Sequence, residues 1–220
     1  MHFTHAVFDL DGTLVDSAPE IIGALRVTFQ AHGLLDFSTA DCMAGIHLPL
    51  AGLIRLLAPD CPERHAAIAA TFRSVYDSQP LTATVPYSDV AGGLLDLGKA
   101  GVACSIVTNK RRVPTNRILK QHGWESVFSD VVTSCDVPPG TGKAAAIRQL
   151  VSSRCLDPAH CLYIGDSEAD WQASLEAGIL MAWVPWGYGS PMPDAPGVWC
   201  VPSSFADLVG RLLFDRSGRP

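Results

Sequence analysis

The stretch Phe8-Asp-Leu-Asp-Gly-Thr-Leu-Val-Asp-Ser17 decides the fold. Ahead of it, His5-Ala-Val-Phe8 is a short apolar run of strand character that stops on Asp9. A run with no polar alternation is the mark of a strand covered on both faces. The same pattern recurs along the chain. Val102-Ala-Cys-Ser-Ile-Val107 ends at Thr108, and a third strand lies within Val127 to Thr133. Cys161-Leu-Tyr-Ile164 ends at Gly165-Asp166, Leu180-Met-Ala-Trp-Val184 is a fifth strand, and Val198-Trp-Cys-Val201 a sixth. Helical segments separate them: Gly92–Ala100, Arg112–His122, Lys143–Ser153 and Asp170–Ala177. Strands alternating with helices predict an α/β fold around a parallel sheet.

One interval breaks the alternation. From Ser17 to Val85 no convincing strand occurs. Ile21, Ile22, Leu25 and Phe29 follow helical spacing, Leu50, Leu53, Ile54 and Leu57 do so again, and Ala66 to Tyr76 gives a third helix. Pro80, Pro86 and the pair Gly92-Gly93 punctuate the return to the sheet. The expected organisation is therefore a core formed by residues 1–16 and 86–220, with an all-helical insert over 17–85. The flanks Asp16-Ser-Ala-Pro19 and Gln79 to Tyr87 would be the two hinge strands.

The 220 residues are 48% hydrophobic and 17% charged, which excludes a disordered chain. The net charge of −6 speaks against a non-specific nucleic-acid binder, which would be expected to carry a basic surface. No apolar stretch approaches the ~18 residues of a membrane span, so no membrane partner is expected. Met1-His-Phe-Thr-His has no basic region ahead of an apolar run, and a cytoplasmic protein is expected. The seven cysteines are scattered without a C-x-x-C pair, which favours reduced structural thiols over zinc ligation.

In open α/β sheets ligands bind beyond the carboxyl ends of the strands. The polar residues that follow each apolar run should therefore converge: Asp9 and Asp11, Thr108-Asn-Lys110, and Asp166 with Asp170, while Lys143 opens a helix. Crowded carboxylates repel unless a cation compensates them, and an oxygen-only donor set suits Mg²⁺. Lys143 would neutralise an anionic ligand and Thr108 would donate to it, a combination built for phosphate.

These residues carry a resemblance. Phe8 to Ser17 resembles the first motif of the haloacid dehalogenase-like hydrolases, and Val107-Thr-Asn109 the second. Lys143 stands where the third motif has its lysine, and Ile164-Gly-Asp-Ser-Glu-Ala-Asp170 is similar to the fourth. The resemblance covers nearly the whole chain. It implies a Rossmann-like, three-layer αβα core with an inserted helical cap that closes over the substrate. It also implies roles: Asp9 as nucleophile, Asp11 as general acid and then base, and Thr108 and Lys143 gripping the phosphoryl group. Gly12 and Asn109 would add backbone amides. Mg²⁺ would be held by Asp9, the Asp11 carbonyl and Asp166, with Asp170 behind them. The second aspartate, Asp11, sets the chain apart from the true dehalogenases, which lack it, and argues for phosphate chemistry. The motif-III region departs from the frequent Lys-Pro-x-Pro pattern, because Lys143 is followed by alanines. Pro138-Pro-Gly-Thr-Gly-Lys143 also looks like an ATPase phosphate loop, but Ala144 occupies the position that needs Ser or Thr.

Asp16-Ser-Ala-Pro-Glu20 and Trp186-Gly-Tyr-Gly189 look most like phosphoglycolate phosphatases and their relatives. The expectation is a Mg²⁺-dependent phosphatase of a small phosphorylated metabolite, monomeric or homodimeric. His47 and Lys110 are candidates to touch the substrate. A phosphomutase, a pyrophosphatase or a binding protein on the same scaffold are the alternatives.

Overall fold

The computed structural model describes residues 2–138 and 140–216. In chain order the elements are β1 (His5–Phe8), β2 (Val15–Asp16), α1 (Ala18–Ala31), α2 (Thr39–Gly45), α3 (Leu50–Leu57), α4 (His65–Ser78) and β3 (Val85–Pro86). There follow α5 (Val90–Lys99), β4 (Ala103–Val107), α6 (Arg112–Gln121), β5 (Asp130–Val132), α7 (Gly142–Ser153), β6 (Cys161–Gly165), α8 (Glu168–Ala177), β7 (Leu180–Trp183), β8 (Val198–Cys200) and α9 (Phe205–Arg216). Two compact units result: residues 1–16 with 86–220, and residues 17–85.

The first unit is built on a six-stranded sheet in the order β5-β4-β1-β6-β7-β8, with every neighbouring pair parallel. This is the α/β, Rossmann-like class read from the sequence. The chain runs outward from β1 through β4 to β5, then returns to the other side of β1 for β6, β7 and β8. Such a reversal of direction leaves a crevice at the strand ends, and β1 ends there. Phe8 is in register with Ile106 of β4 and Ile164 of β6, so Asp9 emerges level with Val107 and Gly165.

All four residues of β1 are buried, because helices cover both faces of the sheet. The pleat sends Val7, Val107, Tyr163 and Met181 into one core with Ile147 and Leu150 of α7 and Ala173 of α8. Phe8 points the other way and stacks on Phe205 of α9, ring centres 6.1 Å apart. Helix α9 is absent from the sequence reading, although Phe205, Leu208, Val209 and Leu212 have helical spacing and are buried. The pair Gly92-Gly93, read both as punctuation and as the start of a helix, lies inside α5, which begins two residues earlier at Val90. A Cβ on Gly93 would come within 2.6 Å of the Phe205 ring, so the missing side chain lets α5 and α9 approach. All seven cysteines are free thiols. Among the described residues no helix is long and apolar enough to cross a membrane.

The second unit is helical. α1 packs on α4, α4 on α3 and α3 on α2, around Leu25, Phe29, Leu53, Ile54, Ile68, Phe72 and Tyr76. The flank Asp16-Ser-Ala-Pro19 is less extended than the sequence suggests, since α1 already begins at Ala18. A proline in the first turn costs nothing there, because that amide has no helical acceptor.

Candidate active site

Asp9 follows β1, and its amide donates to the Ile164 carbonyl at 2.9 Å, which extends the β1–β6 ladder by one residue. The chain then turns sharply. The amides of Leu14 and Val15 donate to the Leu10 carbonyl, at 3.0 and 3.1 Å, and the Gly12 amide donates to the Val15 carbonyl at 2.9 Å. The sequence reading gives Gly12 a phosphate-binding amide; that amide is spent inside the turn instead. What Gly12 contributes is space. Its φ is +79°, a backbone region that favours glycine, and a Cβ there would sit 2.4 Å from the Asp166 carboxylate.

Asp166 leaves β6, and Ser167 starts α8. The Ser167 and Asp170 side chains cap each other's backbone, a reciprocal box that fixes Asp170 three residues into the helix. The Asp-x-x-x-Asp spacing is thus a helix-capping device that also delivers a second carboxylate to the strand ends. Asp170 Oδ2 accepts from the Ser167 amide at 3.1 Å and from its hydroxyl at 2.6 Å. Asp170 Oδ1 takes Lys143 Nζ at 2.5 Å, and the Tyr163 hydroxyl lies 3.2 Å away.

Lys143 is the second residue of α7. An ammonium at a helix N-terminus opposes the helix dipole. Two carboxylates offset this: Nζ also lies 2.9 Å from Asp9 Oδ2. All three side chains are at least nine-tenths buried. The carboxylates outweigh the burial that would deprotonate Lys143, so its pKa is raised. Burial alone would raise Asp170 too, but Lys143 and Ser167 hold it below the ordinary carboxylate range.

The other two carboxylates move upward. Burial pushes Asp9 up to about 6, although Lys143 pulls against it. Burial, with Asp170 and Asp9 adding repulsion, pushes Asp166 up to about 8. Ligand atoms of Asp9, Asp166 and Asp170 all lie within 4.8 Å of one another. Asp9 Oδ1 is buried and has no hydrogen-bond partner among the described residues. An orphaned carboxylate oxygen is costly, and three carboxylates against the Lys143 ammonium leave negative charge uncompensated. Oxygen donors and excess negative charge together fit a hard divalent cation. Both Asp170 oxygens are engaged, one by Lys143 and the other by Ser167, so Asp170 fixes Lys143.

Thr108 follows β4, buried, with its amide donating to the Val132 carbonyl at 3.0 Å. Its hydroxyl oxygen accepts from the Lys110 amide at 3.2 Å, which leaves the hydroxyl proton to donate elsewhere. Asn109 is exposed beside it. The Lys110 ammonium, nominated as a substrate contact, lies 2.8 Å from Asp11 Oδ1, and its side chain is only 7% exposed. It therefore meets Asp11 directly. His47 stands on an exposed turn between α2 and α3 of the helical unit.

Several contacts here go beyond the sequence reading. The Tyr188 amide donates to Asp166 Oδ2 at 2.7 Å, and Trp183 Nε1 to the Asp166 carbonyl at 3.0 Å. The Thr13 hydroxyl reaches Asp166 Oδ1 at 3.3 Å, and Tyr163 bridges Asp170 to the Val107 carbonyl.

Comparison with known proteins agrees with this geometry. The family model described as haloacid dehalogenase-like hydrolase matches residues 6–184. A phosphoglycolate phosphatase of Cereibacter sphaeroides is 32% identical over 215 residues, covering 94% of this chain and 98% of that protein. A phosphoglycolate phosphatase of Vibrio cholerae is 30% identical, covering 94% and 93%. The solved structure of a haloacid dehalogenase-like family hydrolase from Streptococcus pneumoniae superposes with a TM-score of 0.85 at 22% identity, over 95% of this chain and 98% of that one, and so shares the fold. The chain belongs to the haloacid dehalogenase-like hydrolases, in the branch that holds the phosphoglycolate phosphatases.

Proposed function

We propose that this enzyme, a phosphatase of its family, hydrolyses a small anionic phosphate monoester of the phosphoglycolate class with Mg²⁺, through an aspartyl phosphate on Asp9. One observation carries the reading: Lys143 pins Asp9 Oδ2 and leaves Oδ1 buried, unpartnered and at the strand ends. That is the state of a carboxylate nucleophile, fixed in orientation with a free lone pair.

In the first half-reaction Asp9 Oδ1 attacks phosphorus and the ester P–O bond breaks. Asp11 gives its proton to the departing alkoxide. In the second, Asp11 takes a proton from water, the water oxygen attacks phosphorus, and the P–O bond to Asp9 breaks. Inorganic phosphate and the Asp9 carboxylate result. The Lys110 ammonium, 2.8 Å from Asp11 Oδ1, orients the Asp11 side chain. The Thr108 hydroxyl and the Lys143 ammonium meet the phosphoryl oxygens, and their fixed placement supplies electrostatic stabilisation without reorganisation. Mg²⁺, held by Asp9, the Asp11 carbonyl and Asp166, would neutralise phosphoryl charge as a Lewis acid.

A panel of phosphate monoesters scored for phosphate release tests the reading. With Mg²⁺, small carboxylate-bearing monoesters such as 2-phosphoglycolate are expected to give the highest kcat/KM, and chelation of the metal to remove at least about 10³-fold of the rate. Phosphoryl return to a sugar instead of release to water would convert the reading to a mutase. Full activity in excess chelator would refute the metal.

A further inference from the structure

We propose that the loop Trp186-Gly-Tyr-Gly189 sets the geometry of Asp166, and that Tyr188 is its positioning residue through a tie to Asp16. This rests on the reading of Asp166 as a Mg²⁺ ligand.

Asp166 is buried beside two other carboxylates, and their mutual repulsion would swing its side chain away from them. Something must hold it. The Tyr188 amide does so, at 2.7 Å from Oδ2. The loop lies so close that no side chain fits between: a Cβ on Gly187 would come within 2.3 Å of Asp166 Cβ and of the Gly12 carbonyl, and one on Gly189 within 2.2 Å of the Asp166 carbonyl. The glycines therefore bring backbone against the carboxylate.

Two anchors keep that backbone in register. Trp186 Nε1 donates to the Thr13 carbonyl at 3.1 Å. The Tyr188 hydroxyl donates to Asp16 Oδ1 at 3.0 Å, and the Tyr87 hydroxyl is hydrogen-bonded to Tyr188. Both anchors land on the turn and short strand that follow Asp9 and Asp11. The loop thus fastens the strand-end carboxylate of β6 to the segment that follows β1. Groups that orient metal ligands typically govern affinity by 10–100-fold.

The test is Mg²⁺ titration of the substrate-free protein by calorimetry, with tryptophan fluorescence as a second readout, since Trp183 and Trp186 both bond to this site. Tyr188→Phe removes the hydroxyl alone and should weaken Mg²⁺ binding about tenfold. Asp16→Ala should do the same, and the double variant should be no weaker than the worse single one, because Tyr188→Phe already removes the tie that Asp16→Ala removes. Trp186→Phe, which deletes the other anchor, should weaken binding comparably. At saturating Mg²⁺ each should recover kcat to within about threefold of the parent enzyme. Parental Mg²⁺ affinity in Tyr188→Phe and Asp16→Ala, additive losses in the double variant, or a kcat deficit that persists at saturating Mg²⁺ would overturn the proposal while leaving the metal reading intact. A parent protein that binds no Mg²⁺ would overturn both.

Discussion

Asp9→Asn is expected to lose at least about 10⁴-fold in kcat and yet to melt at a higher temperature than the parent protein in metal-free buffer at pH 8. The loss follows from the role of Oδ1, since an amide oxygen cannot form the acyl phosphate. The gain follows from burial. The Asp9 carboxyl is pushed from 3.8 up to about 6, so the folded protein binds its proton more tightly than the unfolded chain does. Its contribution to stability is then present at low pH and falls as pH rises from about 4 to about 6. Above that window the ionised carboxylate costs on the order of 3 kcal/mol, which asparagine does not. The variant should gain several degrees at pH 8 and nothing below pH 4, measured by thermal melts across that range. Mg²⁺ should stabilise the parent protein more than the variant. Lower stability of the variant at pH 8 would show that Asp9 is a structural ion-pair partner first.

Lys143→Met should produce the opposite stability effect and a comparable functional one. The ammonium holds Asp9 at 2.9 Å and Asp170 at 2.5 Å in a buried site. Removing one member of such a set leaves charges unpaired and costs about 3–5 kcal/mol. For a chain of this size the melting temperature should fall by roughly 10 °C at pH 8. The deficit should shrink toward pH 5, where Asp166 and Asp9, both raised, take up protons. It should also shrink with Mg²⁺, which binds the folded protein. Turnover should fall by at least about 10²–10³-fold, because the same ammonium faces the phosphoryl oxygens. A variant that melts with the parent protein at pH 8 would contradict the buried pairing.

The parts of the site that the sequence displays are those where an apolar strand gives way to a reactive side chain. Asp9, Thr108 and Asp166 each follow such a run, and parallel register brings them to one edge. Lys143 is legible as a charge opening a helix, and Asp170 as part of the fourth motif, though its place in a capping box is clear only in the folded structure. Other parts leave no such mark. Tyr188 serves Asp166 through its backbone amide, which every residue except proline possesses. Gly187 and Gly189 act by the side chain they lack, and only the position of Asp166 gives that absence meaning. Tyr163 reads as one more apolar strand residue until its hydroxyl is found against Asp170. Lys110 reads as a surface charge or a substrate contact, because its partner, Asp11, lies nearly half the chain away. Gly12 is recognisable as a turn residue, but its amide is committed to Val15. Side chains that end strands are written in the sequence; backbone donors and close approaches are properties of the folded chain.

The central claim is that hydrolysis proceeds through a phosphoryl group bonded to Asp9. Its most direct test is the stereochemical course at phosphorus, followed with a thiophosphate monoester made chiral by oxygen isotopes and hydrolysed in isotopically labelled water. Two successive in-line displacements, first by Asp9 and then by water, predict net retention of configuration. Net inversion would mean that water attacks the ester directly, and would contradict the covalent role of Asp9.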